Sequence, residues 1–533
     1  MLYSAQHNVL VYPSDAPLVI AQCCDDARQL TDGRVVVPAH LANLQRLTSK
    51  GVPVIEPMDA SGYTWPSKYP RPFHAQRVTA NFLVLNRRAF VLSDMGTGKT
   101  LAALWAADWL MRQHHAAGQP FRALIVSPLS TLRTVWEKEC FEAFMSSRKV
   151  QILHGPAAKR QERLSKEADF YIINHDGLAV GATHKHGRQF DLAGFAADLA
   201  NRKDIRLAIL DEASAYRDGR SRRSLITQLL LGGREYLWAM TGTPTPNGPP
   251  DAVGIAKLVN NAFGESFNSF QNRVMQKLGP FKWVPRAGAQ VEVKKLLSPA
   301  VRFAIEDCVD LPPTTTTTRE VPLSPEQDKA MKDLKKNLML QLAQGRIDVA
   351  NEAVLRMKLI QIACGAVYDT EHVAHEIDCG PRISELLAVI EESARKVIIF
   401  APLTSVVKML NTKLTKLTKH RVAMIHGGVG PNDRAKIFQD FQDGGAGSAH
   451  LLVADAGTMS HGLTLTAATT ICWYGPSERT EVYLQANKRI PRPGQQLPTA
   501  IVHLASTPTE REIYKRLANN ESMQGVMLKL TEQ

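Results

Sequence analysis

The run Val91-Leu92-Ser93-Asp94-Met95-Gly96-Thr97-Gly98-Lys99-Thr100 carries the residue types that hold a polyphosphate. Gly96 and Gly98 let the backbone curl until successive N–H groups face one anion. A helix starting beyond them adds the positive end of its dipole. The Lys99 ammonium would reach the β- and γ-phosphates, and the Thr100 hydroxyl a Mg²⁺ ion. Asp94, Met95 and Thr97 complete the loop. The P-loop pattern has Gly where this chain has Ser93, the one departure within the loop. The expected ligands are ATP and Mg²⁺.

A Mg²⁺ site also needs a carboxylate at the end of a neighbouring strand. Leu207-Ala208-Ile209-Leu210 reads as a buried strand and delivers Asp211 and Glu212 to its C-terminal end. Open α/β sheets bind their ligands there. Asp211 would hold the metal through water, and Glu212 would orient and deprotonate the attacking water.

Both sets need a parallel sheet to position them. Apolar runs at Ala89–Ser93, Ala123–Ser127, Phe170–Asn174, Leu207–Asp211 and Tyr236–Thr241 alternate with helical periodicity. Near-continuous apolar strands between helices imply a sheet covered on both faces. The helix after the phosphate loop shows Leu101, Leu104 and Trp105 at i, i+3, i+4, continued by Trp109. A second series runs Lys396–Ala401, Val422–His426, Leu451–Ala454, Thr470–Tyr474 and Ala500–Leu504. The fold class is α/β, with two lobes of parallel sheet flanked by helices. The expected organisation is a small α/β or β-rich appendage (1–65), lobe 1 (66–250), a mostly helical insertion (251–310), lobe 2 (311–515) and a C-terminal tail (516–533). The five threonines Thr314 to Thr318 suit either a flexible hinge or an edge strand, since Thr favours strands.

Composition narrows the class further. Lys and Arg number 64 against 51 Asp and Glu, a net charge of +13, which favours a polyanionic partner. Apolar residues at 44% suit globular domains with real cores. No apolar run approaches the roughly 18–20 residues of a membrane span, and no secretory signal is visible at the start. Seven cysteines without a CxxC pair argue against a disulfide scaffold and for a reducing compartment. His372, His375 and Cys379 could ligate a metal but lack a fourth partner.

With these residues in order, the chain resembles the superfamily 2 helicase-like ATPases, and within them the Swi/Snf-type DNA translocases, over about residues 68–515. Pro72-Phe73-His74-Ala75-Gln76 looks like the family's Q motif, which implies that Gln76 reads the adenine edge. Leu124 to Ser130, followed by Trp136, is similar to motif Ia, which implies phosphate contacts near Ser127 and Thr131. Asp211-Glu212-Ala213-Ser214 resembles the DEAH box with Ser214 in place of His. Thr241-Gly242-Thr243-Pro244 resembles motif III, which couples the ATP site to DNA. Leu311-Pro312-Pro313 through Gln327 resembles the entry to lobe 2, and His426-Gly427-Gly428 the motif IV region. Ser460 to Thr466 looks like motif V, which brings in Gly462 for nucleotide and Thr466 for DNA; Thr458-Met459 alters its start. Gln485-Ala486-Asn487-Lys488-Arg489-Ile490-Pro491-Arg492-Pro493-Gly494-Gln495 follows motif VI. By that resemblance Gln485 belongs to the catalytic set, and Arg489 and Arg492 act as arginine fingers. A guanidinium suits that work because it neutralises charge on the γ-phosphoryl in the transition state.

The resemblance implies an ATP-dependent double-stranded DNA translocase of compact bacterial or phage type. The lobes would close on ATP and open after hydrolysis. A role in replication, recombination or repair, partners from those processes and a monomeric state are the corresponding expectations. DNA would be bound without sequence preference, with Ser127, Thr131, Thr243 and Thr466 as candidate contacts. Arg217, Arg220, Arg222 and Arg223 either face phosphates or form a solvated helix start. Lys413, Lys416 and Lys419 read as a solvent face. A strand-separating helicase on DNA or RNA, and a nucleotide-gated DNA-binding protein without turnover, are the alternatives.

Overall fold

Leu207, Ala208, Ile209 and Leu210 are fully buried, and the strand they belong to, Ile205–Asp211, is the central one of a seven-stranded sheet. Each fully buried aliphatic side chain of the size of Leu or Ile contributes roughly 1.5–3 kcal/mol. The sheet order is Ala300–Val301, Arg88–Val91, Tyr236–Met240, Ile205–Asp211, Arg122–Ser127, Phe170–Asn174, Val150–Ile152. Every neighbouring pair is parallel. The structure is a computed structural model describing residues 1–533 except 5, 14–19, 21–23, 25, 69–70, 186–188, 261–263, 280–282, 344–348, 370, 372, 446, 460–463 and 530–533. It describes the backbone but not the side chains of 335, 337–343, 349–353, 431 and 520–529.

This sheet lies in the first of two units, Met1–Cys308 with Gln524–Gln533; the second is Val309–Met523. The stretch 251–310 falls almost wholly within the first unit. It carries the helices Ala252–Val259, Phe267–Val274 and Ala289–Leu296, and also supplies the edge strand Ala300–Val301. A two-residue strand has no periodicity to read, so only the helices were legible there. The helix Lys99–Ala116 also departs from its amphipathic reading: every residue from Leu101 to Met111 is buried. That includes Asp108, whose carboxylate accepts from Tyr63 Oη at 2.7 Å and Arg148 Nε at 2.7 Å and pairs with Arg112 at 2.9 Å. A buried charge persists only with such partners.

The N-terminal segment forms a four-stranded antiparallel sheet and a helix, Leu41–Ser49, around Leu10, Tyr12, Val35, Val37, Leu44 and Leu47. Buried Gln45 fastens it to the main sheet. Its amide donates to Val84 O at 2.8 Å and Tyr236 Oη at 3.0 Å, and accepts from Arg87 Nε at 2.9 Å.

The second unit holds a six-stranded parallel sheet in the order Thr314–Glu320, Thr499–Ala505, Ala468–Trp473, Lys396–Phe400, Leu451–Ala454, Val422–Ile425. The threonine run is thus an edge strand, not a hinge. Thr314 and Thr499 share a hydroxyl hydrogen bond of 2.7 Å. Helix Pro508–Lys529 runs through the stretch read as a tail. Buried Arg382 ties this unit together, donating to Tyr474 O at 2.9 Å, Ala363 O at 2.8 Å and Leu504 O at 2.8 Å, and to Glu510 Oε1 at 2.5 Å. Glu510 in turn accepts from the backbone N–H groups of Ser506 and Thr507. Among the described residues no helix is long and apolar enough to cross a membrane.

Two outcomes follow for the second unit. Glu510→Ala strands a buried guanidinium and should lower stability by about 3–5 kcal/mol, read as a fall in the denaturation midpoint. His503, stacked on Tyr514 with ring centroids 4.2 Å apart, is held by burial to a pKa of about 4. Below the unfolded value of about 6.5 the unfolded chain binds the extra proton. Stability is therefore lost as pH falls from about 6.5 towards 4, up to roughly 3 kcal/mol. His503→Gln should flatten that part of the stability–pH curve; an unchanged slope would refute the assignment.

Candidate nucleotide site

The phosphate loop joins the strand Arg88–Val91 to the helix Lys99–Ala116, as its sequence requires. Gly96 (φ +89°) and Gly98 (φ +77°) take the left-handed conformation that side chains disfavour. The Lys99 ammonium donates to Ser93 O at 2.6 Å and Asp94 O at 2.8 Å, and Thr97 Oγ1 donates to Asp94 O at 2.8 Å. Thr100 and Met95 are half-buried at the helix start and loop tip.

Three other segments brace the loop. Gln76 lies in the first turn of the helix His74–Leu85, and a Cβ on Gly98 would stand 2.1 Å from its Nε2. Its Oε1 accepts from Phe73 N at 2.9 Å, and Nε2 lies 3.5 Å from Gly98 O. The amide bonds to Phe73 and lies against the phosphate loop. Gly242 packs from another side; a Cβ there would meet Ser93 O at 3.4 Å and Met95 N at 3.6 Å. The motif III segment thus touches the phosphate loop through backbone.

The third brace comes from Arg302 and Phe303. Asp94 N donates to Phe303 O at 2.9 Å, and Phe303 N donates to Ser93 Oγ at 3.0 Å. Arg302 Nη2 lies 3.9 Å from Asp94 Oδ1, with both residues buried. The serine that departs from the P-loop pattern is thus the acceptor for this connection. Ser93 was the only signal, and its partner lies over 200 residues away.

The acidic pair ends the central strand. Asp211 Oδ2 accepts from Trp136 Nε1 at 2.9 Å, and Oδ1 from Glu212 N at 3.0 Å. Trp136 is fully buried and belongs to a π-helical segment, Leu132–Glu137, a form often found at functional sites. Glu212 adopts φ +49°, ψ +53°, an uncommon conformation for a non-glycine residue and one that clusters at functional sites. Ser214 is fully buried behind it. Oxygen donors from Thr100 and Asp211 are the hard ligands that Mg²⁺ prefers.

The DNA-contact candidates fare differently. Ser127, Thr131 and Thr243 are buried, and the Thr131 hydroxyl donates to Pro128 O at 2.9 Å. Leu129 and Ser130 are the exposed members of the turn that links Ser127 to Thr131. All four clustered arginines have protein partners, Arg217 Nη1 donating to Ser214 O at 3.5 Å. Arg222 donates to Ala182 O at 2.8 Å, Arg223 pairs with Asp176 at 2.7 Å and Arg220 lies over the Phe267 ring. Lys416 and Lys419 are exposed, and Lys413 lies 3.5 Å from Glu376. His375 pairs with Asp369 at 2.7 Å, Cys379 is buried and His372 lies outside the described residues. Among the described residues no His, Cys, Asp and Glu cluster could hold a metal.

In the second unit the motif VI segment is stitched to residues 464–468. Leu465 N donates to Arg489 O at 3.1 Å, Arg492 Nη1 to Thr464 Oγ1 at 3.1 Å, and Gln495 Nε2 to Ala468 O at 3.0 Å. Arg489 is buried, and Arg492 half-buried. Thr466 Oγ1 accepts from Gln442 Nε2 at 2.9 Å. Gln485 is fully buried, and its amide meets no hydrogen-bond partner among the described residues. Gly462, with 460–463, lies outside the described residues.

The brace between Gln76 and Gly98 is testable. Gly98→Ala should destabilise the first unit through both the clash and the left-handed backbone. Adding Gln76→Ala should relieve the clash and leave about 1–2 kcal/mol of backbone strain. No relief in thermal unfolding of the double variant would refute the packing.

Comparison with known proteins places the chain in a family. A model of the SNF2-related domain matches residues 75–364, and one of the helicase conserved C-terminal domain matches residues 381–494. Protein p41 of Acyrthosiphon pisum secondary endosymbiont phage 1 is 26% identical over 335 residues, 61% of this chain and 70% of that protein. An uncharacterized ATP-dependent helicase of Mycoplasma pneumoniae is 22% identical over 442 residues, 80% of this chain. The chromatin-remodeling ATPase INO80 of Neurospora crassa is 26% identical over 148 residues, 28% of this chain. The chain spans 39% and 7% of the lengths of these last two. The Sulfolobus solfataricus SWI2/SNF2 ATPase core in complex with dsDNA is 20% identical, with 88% of this chain and 96% of that one covered at a TM-score of 0.38. With more than half its length matched by the SNF2-related model, this chain belongs to the SNF2-related family of helicase-like ATPases.

Proposed function

We propose that the protein is a DNA-dependent ATPase that moves along double-stranded DNA. The observation that carries this reading is the convergence in one unit of the phosphate loop, the acidic pair and the motif III backbone at the C-terminal ends of adjacent parallel strands. The net charge of +13 favours the polyanionic partner. The names of two relatives, an ATP-dependent helicase and a chromatin-remodeling ATPase, accord with it.

In this reading the backbone of Gly96 to Thr100 holds the phosphates and Lys99 exchanges its loop carbonyls for phosphate oxygens. Thr100 and Asp211 would hold Mg²⁺, which when bound neutralises charge between the β- and γ-phosphates. Trp136 fixes the Asp211 carboxylate. Glu212 takes the proton of the attacking water. Gln485, Arg489 and Arg492 are the proposed residues of the second unit, the arginines stabilising charge on the transferred phosphoryl. Gly242 against Ser93 and Met95 gives the motif III segment a direct contact through which loop occupancy can be sensed. A role in replication, recombination or repair belongs to the same proposal.

Phosphate release should rise several-fold on adding duplex DNA, and the stimulation should weaken with salt as phosphate contacts are screened. Lys99→Ala and Glu212→Gln should abolish turnover, with Glu212→Gln still binding ATP. Arg489→Ala should lower turnover by roughly 10³-fold or more, the scale of an arginine finger, with ATP affinity little changed. Displacement of a third strand from a blunt duplex without unwinding of a fork would establish translocation; fork unwinding would instead show a strand-separating helicase.

A further inference from the structure

Trp136 reaches the acidic pair from outside the strand that carries it. Its Nε1–H donates to Asp211 Oδ2 at 2.9 Å, while Oδ1 of the same carboxylate accepts from Glu212 N at 3.0 Å. Both oxygens of Asp211 are thus engaged, and the carboxylate is oriented from two directions. A carboxylate has about four lone-pair sites. Each oxygen therefore keeps a site for the water shell of a metal ion.

The indole is held still. It is fully buried, in the core that also contains Ile125, Leu132, Phe170 and Ile209. Asp211 itself is half-buried at the end of its strand. An indole N–H donates and never accepts. It therefore serves the ionised carboxylate, where a hydroxyl or an imidazole could turn and accept instead. The backbone is irregular on both sides of the contact. Trp136 stands in the π-helical run Leu132–Glu137, which leads directly into the α-helix Lys138–Phe144. Glu212 holds a left-handed conformation. Such irregularities cost energy and cluster where function keeps them. Here they bring one indole and one main-chain N–H onto the same side chain. The indole acts on the carboxylate and not on the phosphate loop, so its effect falls on the metal rather than on the nucleotide.

We infer that Trp136 is a positioning residue that sets the affinity for Mg²⁺ at Asp211 and leaves the affinity for nucleotide alone. The inference rests on the reading of Thr100 and Asp211 as the metal site. Groups that orient a metal's carboxylate from behind typically alter metal affinity by about ten- to a hundred-fold.

The test separates metal from nucleotide on the full chain. ADP is titrated calorimetrically into the protein in excess EDTA. Mg²⁺ is then titrated into the ADP complex, with protein in excess over ADP. The proteins compared are the parent, Trp136→Phe, Asp211→Asn and a chain with benzothienylalanine in place of Trp136. That last side chain keeps the shape of the indole and puts sulfur where the N–H was, so it removes the hydrogen bond without removing the packing. The expected result is ADP affinity in EDTA within about two-fold of the parent in both position-136 variants, with Mg²⁺ affinity weakened about ten-fold or more in each. Asp211→Asn should weaken Mg²⁺ at least as much. Unchanged Mg²⁺ affinity in the sulfur isostere beside a loss in Asp211→Asn would overturn the role of Trp136 and leave the metal site standing. So would an equal loss of ADP and Mg²⁺ affinity in the isostere. Unchanged Mg²⁺ affinity in Asp211→Asn would overturn the metal site, and the role of Trp136 with it.

Discussion

A loop that encircles an anion gathers N–H donors on its inner side, and little in its own backbone holds that shape. In this protein the shape is imposed from outside. The Phe303 main chain bonds to Ser93 and Asp94 on one side, Gly242 presses on Ser93 and Met95 on another, and Gln76 covers Gly98 on a third. Each brace comes from a different part of the sequence, and each is short-ranged and backbone-directed. The acidic pair depends on the same framework, because the central strand that ends in Asp211 runs two places from the strand that launches the loop.

The braces also explain why glycine and serine stand where they do. At Gly98 and Gly242 a side chain would meet neighbouring atoms, so these positions are set by close approach as much as by dihedral freedom. At Ser93 a glycine could not accept the Phe303 N–H. An edge strand of two residues, Ala300–Val301, is too short to be held by its ladder alone. The Ser93 hydroxyl extends its grip on the sheet by one more bond.

Much of this was legible from residue type and spacing. The apolar runs at Ala123–Ser127, Phe170–Asn174 and Leu451–Ala454 form strands because β-branched and apolar residues buried on both faces have few other options. The loop glycines, Lys99 and the Asp211-Glu212 pair stand on the elements expected of them. Val150–Ile152 and Ala300–Val301 were missed because two or three residues carry no period. The all-round burial of Leu101–Met111 was hidden by its alanines, which suit a buried face and an exposed one equally. Burial of Ser127, Thr131 and Thr243 could not be read, since a hydroxyl gives no sign of which way it points. The links from Trp136 to Asp211 and from Phe303 to Ser93 join residues far apart in sequence, and nothing local announces them.

Helix His74–Leu85 is a rod about 18 Å long at 1.5 Å per residue, and both its ends are fastened. Near its start Gln76 rests on Gly98; near its finish the Val84 carbonyl takes a hydrogen bond from Gln45 of the N-terminal helix Leu41–Ser49. The first sixty-odd residues are thereby linked to the phosphate loop through one helix. A ligand that tilted that N-terminal segment would turn the shaft and shift Gln76 against Gly98 from a distance.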